Sequence, residues 1–311
     1  DGIDGSDTYG VFVHNPSTTL NNVIVKNLAV TDWYNGITYQ DSQNGNIVNN
    51  TATLNGLTGI LLDSSNLNTL VSNTATTNPN GISLLSSNNN ILSDNTANSN
   101  LFYGINLDSS SYNYLTNNTA SSNSVGFHLE SSTNNILTSN TASANNVGIN
   151  LASSSNYNTL TNNKAEQDNY GIIIHTSNTN KLTDNTANSN FHGINFFSSS
   201  SNTIVNNTAN SNEVGIVLDS SDTNTITNNT AISNAPFSLG ISLVGSNSNI
   251  IFNNYFNNTN NAFDNGINSW NISKTLGTNI IGGPYLGGNF WSDYNGSDPN
   301  QDGFGDYYLP Y

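Results

Sequence analysis

The sequence contains no cysteine and no methionine, and lysine is its only strongly basic residue type. Without cysteine there can be no disulfide framework and no cysteine-based zinc site. Twenty acidic residues against four lysines give a formal net charge of −16 at pH 7. Such a chain cannot neutralise phosphates, so we expect neither nucleic acid nor an anionic membrane as a partner. Cations and neutral glycans suit this charge better.

Long hydrophobic runs are also missing, and none approaches the roughly 18 residues of a membrane span. Only 34% of the residues are hydrophobic and 8% are charged. An ordinary globular core of this length needs more apolar residues, whereas a disordered chain usually carries more charge. The composition therefore indicates a repeat protein in which each unit buries a thin strip against its neighbours. Because the sequence opens at Asp1 without an initiator methionine, we expect a mature or trimmed product.

Asparagine is abundant, with 67 of 311 residues, and it belongs to a repeating phrase. An alanine that usually closes the phrase Asn-Thr-Ala recurs every 22 or 23 residues, at Ala29, Ala52, Ala75, Ala97, Ala120, Ala142, Ala165, Ala187, Ala209 and Ala231. A glycine before an apolar residue keeps the same period, at Gly36, Gly59, Gly81, Gly104, Gly126, Gly148, Gly171, Gly193 and Gly215, and then Gly240 after a three-residue insertion near Pro236. Two independent anchors in step indicate a structural repeat.

Within each unit the apolar residues alternate with polar ones, as in Gly104-Ile105-Asn106-Leu107-Asp108, which indicates strands and not helices. If each unit is one full turn of a solenoid, a constant spacing stacks the equivalent residues of successive units directly above each other. We therefore predict an all-β fold, a right-handed parallel β-helix with three strands per 22–23-residue coil and about ten or eleven coils. The corner asparagines Asn73, Asn95, Asn118, Asn140 and Asn163 are predicted to stack as an amide ladder.

The repeat divides the chain into two predicted parts. Residues 1–265 form the β-helix, with irregular first coils over 1–36, and residues 266–311 form an irregular C-terminal cap. The cap is expected because a solenoid exposes unpaired backbone at its end.

The repeat phrase Asn206-Asn207-Thr208-Ala209, with Val214-Gly215-Ile216-Val217-Leu218-Asp219, resembles the NosD-like right-handed parallel β-helix repeats of archaeal cell-surface proteins. The ending Gly282-Gly283-Pro284-Tyr285-Leu286-Gly287-Gly288-Asn289-Phe290-Trp291 resembles the segment that often closes such domains. The resemblance implies a fold and leaves open whether the protein is an enzyme, a binding module or an envelope component. It also implies copper, but we expect none, because there is no cysteine or methionine and His14, His128, His175 and His192 lie on different coils.

Two functions are compatible with these features. The first is a non-enzymatic structural protein of the extracellular surface, such as a surface-layer, sheath or filament subunit, which associates with copies of itself and possibly with other envelope proteins or glycans. An uncovered N-terminal coil would favour such association. The second is a polysaccharide-binding or polysaccharide-processing β-helix. We rank the structural protein first.

The second function depends on a column of acidic residues. Asp108 and Glu130 lie four residues after their glycine anchors in successive coils, so they should face outward about one inter-strand spacing, roughly 4.8 Å, apart. His128 precedes Glu130 by two residues and should share its face. Carboxylates about 5 Å apart suit retaining glycoside hydrolysis. The structural alternative is a solvated acidic face without a reaction, or adventitious binding of cations.

A metal site is predicted in the C-terminal part, where Asp298, Asn300 and Asp302 alternate before Gly303 as at the start of a calcium loop. The carbonyl of Phe304 and the side chain of Asp306 would add ligands. The departure from the pattern is Leu309, which stands where a bidentate Glu is usual. The alternative is an Asp/Gly turn without Ca²⁺.

We expect a secreted, extracellular or cell-surface location. Sequons for N-glycosylation are consistent with it, although an Asn/Thr-rich chain forms them by accident. They lie at Asn49, Asn117, Asn206, Asn228, Asn257, Asn271 and Asn295.

Overall fold

The computed structural model describes residues 8–234 and 239–299 of the chain. Over these ranges the chain winds as a parallel β-helix with three strands per coil, and the described residues contain no helix. The predicted all-β solenoid is therefore confirmed. No part of the described chain forms a helix that could cross a membrane.

One strand of five or six residues per coil enters a parallel 12-stranded sheet, here named the long-strand sheet. Its strands are Tyr9–Val13, Asn35–Gln40, Thr58–Asp63, Asn80–Leu85, Tyr103–Asp108, Val125–Glu130, Val147–Ala152, Tyr170–His175, His192–Phe197, Val214–Asp219, Leu239–Val244 and Asn260–Asp264. Equivalent residues of successive coils lie opposite each other, as with Leu107 and Leu129.

A second face, here named the short-strand sheet, has 11 parallel strands. They are Ile24–Lys26, Asn46–Val48, Thr69–Val71, Ile91–Ser93, Tyr114–Thr116, Ile136–Thr138, Thr159–Thr161, Lys181–Thr183, Thr203–Val205, Thr225–Thr227 and Ile250–Phe252.

The third face is divided into three short sheets that single bridges at Thr96 and Thr208 connect. Its strands are Ala29–Thr31, Thr51–Thr53 and Thr74–Thr76, then Thr119–Ser121, Thr141–Ser143, Lys164–Glu166 and Thr186–Asn188, and finally Thr230–Ile232, Tyr255–Asn257 and Phe290–Trp291. Two small pairs complete the structure: Leu20–Asn21 lies parallel to Ser42–Gln43, and Thr275–Leu276 lies antiparallel to Tyr285–Leu286.

The interior is filled by apolar columns that run along the axis of the rod. Alternate residues of each long strand, such as Ile105 and Leu107, are fully buried, as are Leu115 of the short-strand sheet and Ala120 of the third face. The glycine anchor leaves room for this stacking, because a Cβ added at Gly126 would lie 2.6 Å from the Gly148 carbonyl oxygen. Two of the three strands therefore contribute large side chains, and the third contributes alanine.

Buried asparagines form ladders at the corners, as predicted. Asn140 shows the unit: its Nδ2 donates to Asn163 Oδ1 at 3.0 Å and to the Leu115 carbonyl at 2.9 Å. Its Oδ1 accepts from the backbone N–H of Asn118 at 2.9 Å and from Asn118 Nδ2 at 3.0 Å. This ladder consists of Asn50, Asn73, Asn95, Asn118, Asn140, Asn163, Asn185, Asn207, Asn229 and Asn254. The amide nitrogen of each member donates a hydrogen bond to a buried corner carbonyl, in place of the hydrogen bond that this carbonyl would make to water in the unfolded chain.

A parallel ladder at the next corner contains one carboxyl group. Asp168 Oδ1 accepts from the backbone N–H of Asn145 at 2.7 Å and from its Nδ2 at 3.0 Å, as an asparagine would. Asp168 Oδ2 is buried without a hydrogen-bond partner. Burial raises the pKa of Asp168 to about 6, although the hydrogen bonds from Asn145 oppose the shift. Asn190, its neighbour in the ladder, uses its amide nitrogen to donate to the Ala165 carbonyl.

The segment after residue 266 contacts the last coil. Asn289 extends the asparagine ladder by accepting from Asn254 Nδ2 at 2.9 Å. Trp291 stacks on Phe256 with ring centroids 4.9 Å apart. These groups occupy the positions that a further coil would otherwise fill. The division of the chain at residue 265 stays a prediction.

Candidate functional site

The outward side chains of the long-strand sheet form three columns, at the first, fourth and sixth positions of most strands. The glycine at the second position interrupts the alternation, because a Cβ there would point into the rod, as at Gly126, where it would lie 3.1 Å from Ala142 Cβ. In the strand Val125–Glu130 the outward residues are Val125, His128 and Glu130. Polar and aromatic residues vary from coil to coil in these columns, whereas the inward residues barely change. A site on this sheet is therefore built from residues one coil apart in the sequence.

Asp108 and Glu130 are opposite each other on neighbouring parallel strands, as predicted. The strand spacing places their Cα atoms about 4.8 Å apart. Ser109 Oγ donates to Asp108 Oδ1 at 2.9 Å, and Ser153 Oγ donates to Glu130 Oε1 at 3.2 Å. Asp108 is half-buried and Glu130 is exposed, so both carboxylates can reach a ligand on the surface.

His128 lies beside this pair, with its Nε2 3.6 Å from Glu130 Oε2. Only 7% of His128 is exposed, because the ring of Tyr103 stacks on it at a centroid distance of 4.7 Å and an interplanar angle of 6°. Burial lowers the pKa of His128 below its usual value, although Glu130 and Asp108 act in the opposite direction. The imidazole is therefore neutral at pH 7.

The tautomer of His128 follows from its other contact. Asn150 Nδ2 lies 3.1 Å from His128 Nδ1. Because an amide nitrogen only donates, Nδ1 accepts and the proton is on Nε2, on the side of Glu130. His128 thus places an N–H group next to one oxygen of Glu130, while Ser153 donates to the other.

The chemical capacity of this arrangement comes from its two carboxylates. Retaining glycoside hydrolases hold their two carboxyl groups about 5–5.5 Å apart, a separation that neighbouring strands provide. The aromatic ring of Tyr103 offers an apolar surface next to them. We define the Asp108 site as Asp108, His128 and Glu130 with Tyr103, Asn150 and Ser153.

Sequence reasoning missed three contributors to this site: Tyr103, Asn150 and Ser153. The repeat itself carries the signal for one of them, since Asn150 follows His128 by 22 residues and lies opposite it, whereas the residue opposite Glu130 is Ala152 and Ser153 follows it. One coil period along the chain is one strand across the sheet. Tyr103 has no such signal, because it reaches His128 diagonally from the start of the preceding strand.

The predicted calcium loop lies almost wholly outside the described residues. Of Asp298, Asn300, Asp302, Phe304 and Asp306 the structure describes only Asp298, so the loop stays a prediction. The sequon asparagines are all at the surface: Asn228 is half-buried and the other six are exposed. Their glycosylation also stays a prediction.

Comparison with known proteins identifies the family. The sequence profile described as "Periplasmic copper-binding protein (NosD)" matches residues 3–164 and 153–296, and the chain belongs to this family. The predicted resemblance is confirmed in this respect; an archaeal origin stays a prediction. No curated protein matches the sequence of the chain.

Solved structures of enzymes share the fold. The A-module of the Azotobacter vinelandii mannuronan C-5 epimerase AlgE6 superimposes with a TM-score of 0.66 at 14% identity, over 79% of this chain and 80% of that one. The AlgE4 A-module of the same organism gives 0.60 at 14%, over 84% and 82%. A variant of the periplasmic alginate epimerase AlgG gives 0.55 at 15%, over 80% and 68%. At these identities the likeness establishes the fold.

These structures correct the predicted function. The first-ranked expectation, a non-enzymatic structural protein, is contradicted, since the structural neighbours are epimerases that process polysaccharides. A rigid rod with an acidic surface favoured a structural protein, but a regular interior places no constraint on the outward columns. The family description and the periplasmic neighbour favour an extracellular or periplasmic location, which agrees with the expected secretion in its coarse form.

The expectation that the protein has no copper is also contradicted, by the family description. The absence of cysteine and methionine was a weak argument, because imidazole and carboxylate groups bind copper as well. Within residues 8–234 and 239–299, however, no three His, Cys, Asp or Glu side chains are grouped closely enough to hold a metal ion. The described residues therefore do not fit a copper centre.

Proposed function

We propose that the protein binds an extracellular polysaccharide on the long-strand sheet and cleaves it at the Asp108 site. The observation that carries this proposal is the placement of Asp108 and Glu130 opposite each other, with His128 fixed beside them. The likeness to polysaccharide epimerases supports a polysaccharide as the ligand. The fold supplies a flat sheet along which an extended polymer can lie.

The proposed reaction is hydrolysis with retention. Glu130 attacks the anomeric carbon while Asp108 donates a proton to the glycosidic oxygen, which leaves with the bond electrons as an alcohol. Asp108 then removes a proton from water, and this water cleaves the glycosyl ester and restores Glu130. Glu130 is assigned the attack because donors on two sides, Ser153 and His128, hold its carboxylate in place.

His128 acts as a positioning residue in this scheme. Its neutral imidazole donates from Nε2 toward Glu130. A protonated imidazole would form a full ion pair with Glu130 and make this carboxylate a weaker nucleophile. Asn150 fixes the tautomer, and Tyr103 covers the ring. Protonation of His128 at low pH would place a cation against Glu130 and is expected to reduce the rate.

The proposal is tested by replacing Glu130 with glutamine, which keeps the shape and removes the charge. We expect Glu130→Gln to lower the rate of polysaccharide cleavage at least about a thousandfold, and Asp108→Asn to do the same, as removal of a reacting group does. Release of reducing ends from a panel of soluble plant and microbial polysaccharides measures the rate.

Asp63→Asn is the matched control, because Asp63 occupies the same outward column but lies between Gln40 and Leu85. It should leave the rate unchanged. The proposal fails if the wild-type protein cleaves none of the polymers, or if Glu130→Gln cleaves them at the wild-type rate.

A further inference from the structure

A second group of aromatic rings lies on the same face, further along the rod. The neighbouring strands Tyr170–His175 and His192–Phe197 carry rings at both of their ends. At one end Phe191 stacks on His192 at 4.8 Å, and Tyr170 meets His192 edge-on at 5.2 Å. At the other end the rings of His175 and Phe197 are 5.2 Å apart. We name these five residues the aromatic cradle.

The two groups of aromatic rings form walls at opposite ends of the two strands, with a floor between them. Five residue steps separate the walls along a strand, about 17 Å at the rise of an extended chain. Ile173 and Asn195 lie between them as the outward residues of the two strands, and they pair across the sheet. Large apolar walls around a partly polar floor are typical of sites that bind sugar rings, which stack by their faces and hydrogen-bond by their edges.

The floor and one wall each contain a polar atom without a partner. Asn195 Oδ1 and His192 Nδ1 are buried and make no hydrogen bond. Such groups cost free energy unless a ligand or water pairs with them. Both side chains are only half-buried, and rotation of the broad terminal amide torsion would turn Asn195 Oδ1 toward a ligand. A hydroxyl-rich ligand would then pair with this oxygen.

The charges on this face select among polysaccharides. The described strands of the long-strand sheet contain no lysine, and the chain has no arginine. Burial lowers the pKa of His192, although Glu213 opposes the shift, so this ring is neutral at pH 7. The ionised side chains that flank the path are acidic, among them Glu130 and Asp219. A polymer of uronic acids would meet only charges of its own sign.

The cradle lies within reach of the Asp108 site along the axis of the rod. The strand that carries His128 and Glu130 lies two strand steps, about 10 Å, from the strand of His175. It lies three strand steps, about 14 Å, from the strand of His192. A polymer that runs along the axis can therefore occupy both places, whereas one that crosses the sheet along a strand can occupy only one.

We infer that the substrate is a neutral polysaccharide that runs along the rod axis, with one or two sugars held in the aromatic cradle while a glycosidic bond lies at Asp108 and Glu130. This inference rests on the proposed function for the cleaved bond, but the binding it describes does not depend on cleavage. The cradle is a binding subsite, and its residues take no part in the reaction.

The test separates binding from cleavage by using the Glu130→Gln protein, which cannot degrade the probe. Retardation in gels that contain a neutral galactomannan or β-glucan, or the acidic polygalacturonate, measures affinity. We expect retardation by a neutral polymer and none by polygalacturonate. Tyr170→Ala and Phe197→Ala should each weaken binding of the neutral polymer about tenfold, the effect of one lost ring stack.

Two controls keep the test decisive. Tyr114→Ala removes a tyrosine that is 50% exposed on the short-strand sheet, and it should leave binding unchanged. Tyr170→Phe keeps the ring and should bind as the parent does. Near-wild-type melting temperatures of the cradle variants exclude misfolding, and Phe197→Ala, at a ring that is 43% exposed, still tests the cradle if Tyr170→Ala does not fold.

The outcomes distinguish this inference from the proposed function. Tighter binding of polygalacturonate than of the neutral polymers, no binding of any, or full binding by both cradle variants would overturn the inference, even if cleavage by Glu130 stands. Weakened binding in the cradle variants, with cleavage that Glu130→Gln does not affect, would support the cradle and overturn the proposed catalytic roles.

Discussion

The inward and outward positions of a coil differ in how much their residues vary from one coil to the next. Inward positions repeat almost without change: Ile82, Ile105 and Ile149 occupy one column, interrupted only by Phe127. The outward column one residue further along contains Ser83, Asn106, His128 and Asn150. Each inward side chain must fit the coil on either side, so a change has two neighbours to satisfy. An outward side chain has water on one side.

This contrast shows where function can develop in a solenoid. Stability is a property of the repeat, and activity is a property of departures from it. The Asp108 site and the aromatic cradle both consist of outward residues that differ from their counterparts in adjacent coils. The predictions below test the contrast from the inside outward.

The largest effect is expected for a break in the ladder. Asn140→Ala removes the partner of two Asn118 N–H groups and the donor to the Leu115 carbonyl. Because buried groups left unpaired cost about 1–3 kcal/mol each, the free energy of unfolding should fall by about 3–5 kcal/mol. Denaturant unfolding followed by circular dichroism measures it. The control Asn146→Ala, at an exposed asparagine, should cost less than about 1 kcal/mol.

The second prediction concerns the one carboxyl group inside a ladder. The pKa of Asp168 is about 6 in the folded protein against 3.8 as the ordinary value, so the folded state retains the proton longer as pH rises. Stability should therefore fall between about pH 4 and pH 6 and stay lower above that, by about 2–3 kcal/mol. Asp168→Asn should remove this loss, since its amide could donate to the Ala142 carbonyl as Asn190 donates to Ala165.

Thermal melting of Asp168→Asn and the wild type at pH 4, 6 and 8 measures the difference. The variant should be more stable at pH 8 and similar at pH 4. The control Asp94→Asn, at an exposed corner, keeps Asp168 and should lose stability with rising pH as the wild type does. Equal stabilities of Asp168→Asn and wild type at pH 8 would show that Asp168 is ionised at no cost.

The third prediction concerns Tyr103, whose ring covers His128 in the Asp108 site. Tyr103→Ala removes the ring that stacks on His128, which should cost about 0.5–1.5 kcal/mol of stability. Since burial lowers the pKa of His128, exposure should raise this pKa toward its usual value of 6.5. An NMR titration of the imidazole measures the shift. An unchanged pKa in the variant would mean that other groups desolvate His128.

The smallest effect is expected on the outside, away from both sites. Lys164 interrupts a column of outward threonines on the third face and pairs with Glu166 at 2.8 Å. The lysine side chain is 54% exposed, and exposed ion pairs contribute little. Lys164→Thr should change the unfolding free energy by less than about 0.5 kcal/mol. A loss comparable to that of Asn140→Ala would contradict the separation of inside from outside.

The site was only partly accessible to sequence reasoning. The period of 22–23 residues was enough to place Asp108 opposite Glu130, because register in a solenoid is the period itself. The same period would have added Asn150, which lies opposite His128. It could not indicate that Tyr103 lies flat on His128, since that contact depends on side-chain rotamers across a diagonal. Nor could it indicate that Phe191 at a corner joins His192 and Tyr170.

The sequence by itself determined the solenoid: alternation fixed the strands, the two anchors fixed the coil length, and the asparagine phrase fixed the corners. These are local or strictly periodic features, so they can be seen without coordinates. Only the tertiary structure decided which outward residues meet, how deeply His128 is buried and that Asp168 is enclosed in a ladder. Burial and side-chain contact depend on the neighbours from two other coils at once, and a linear pattern does not specify their orientation.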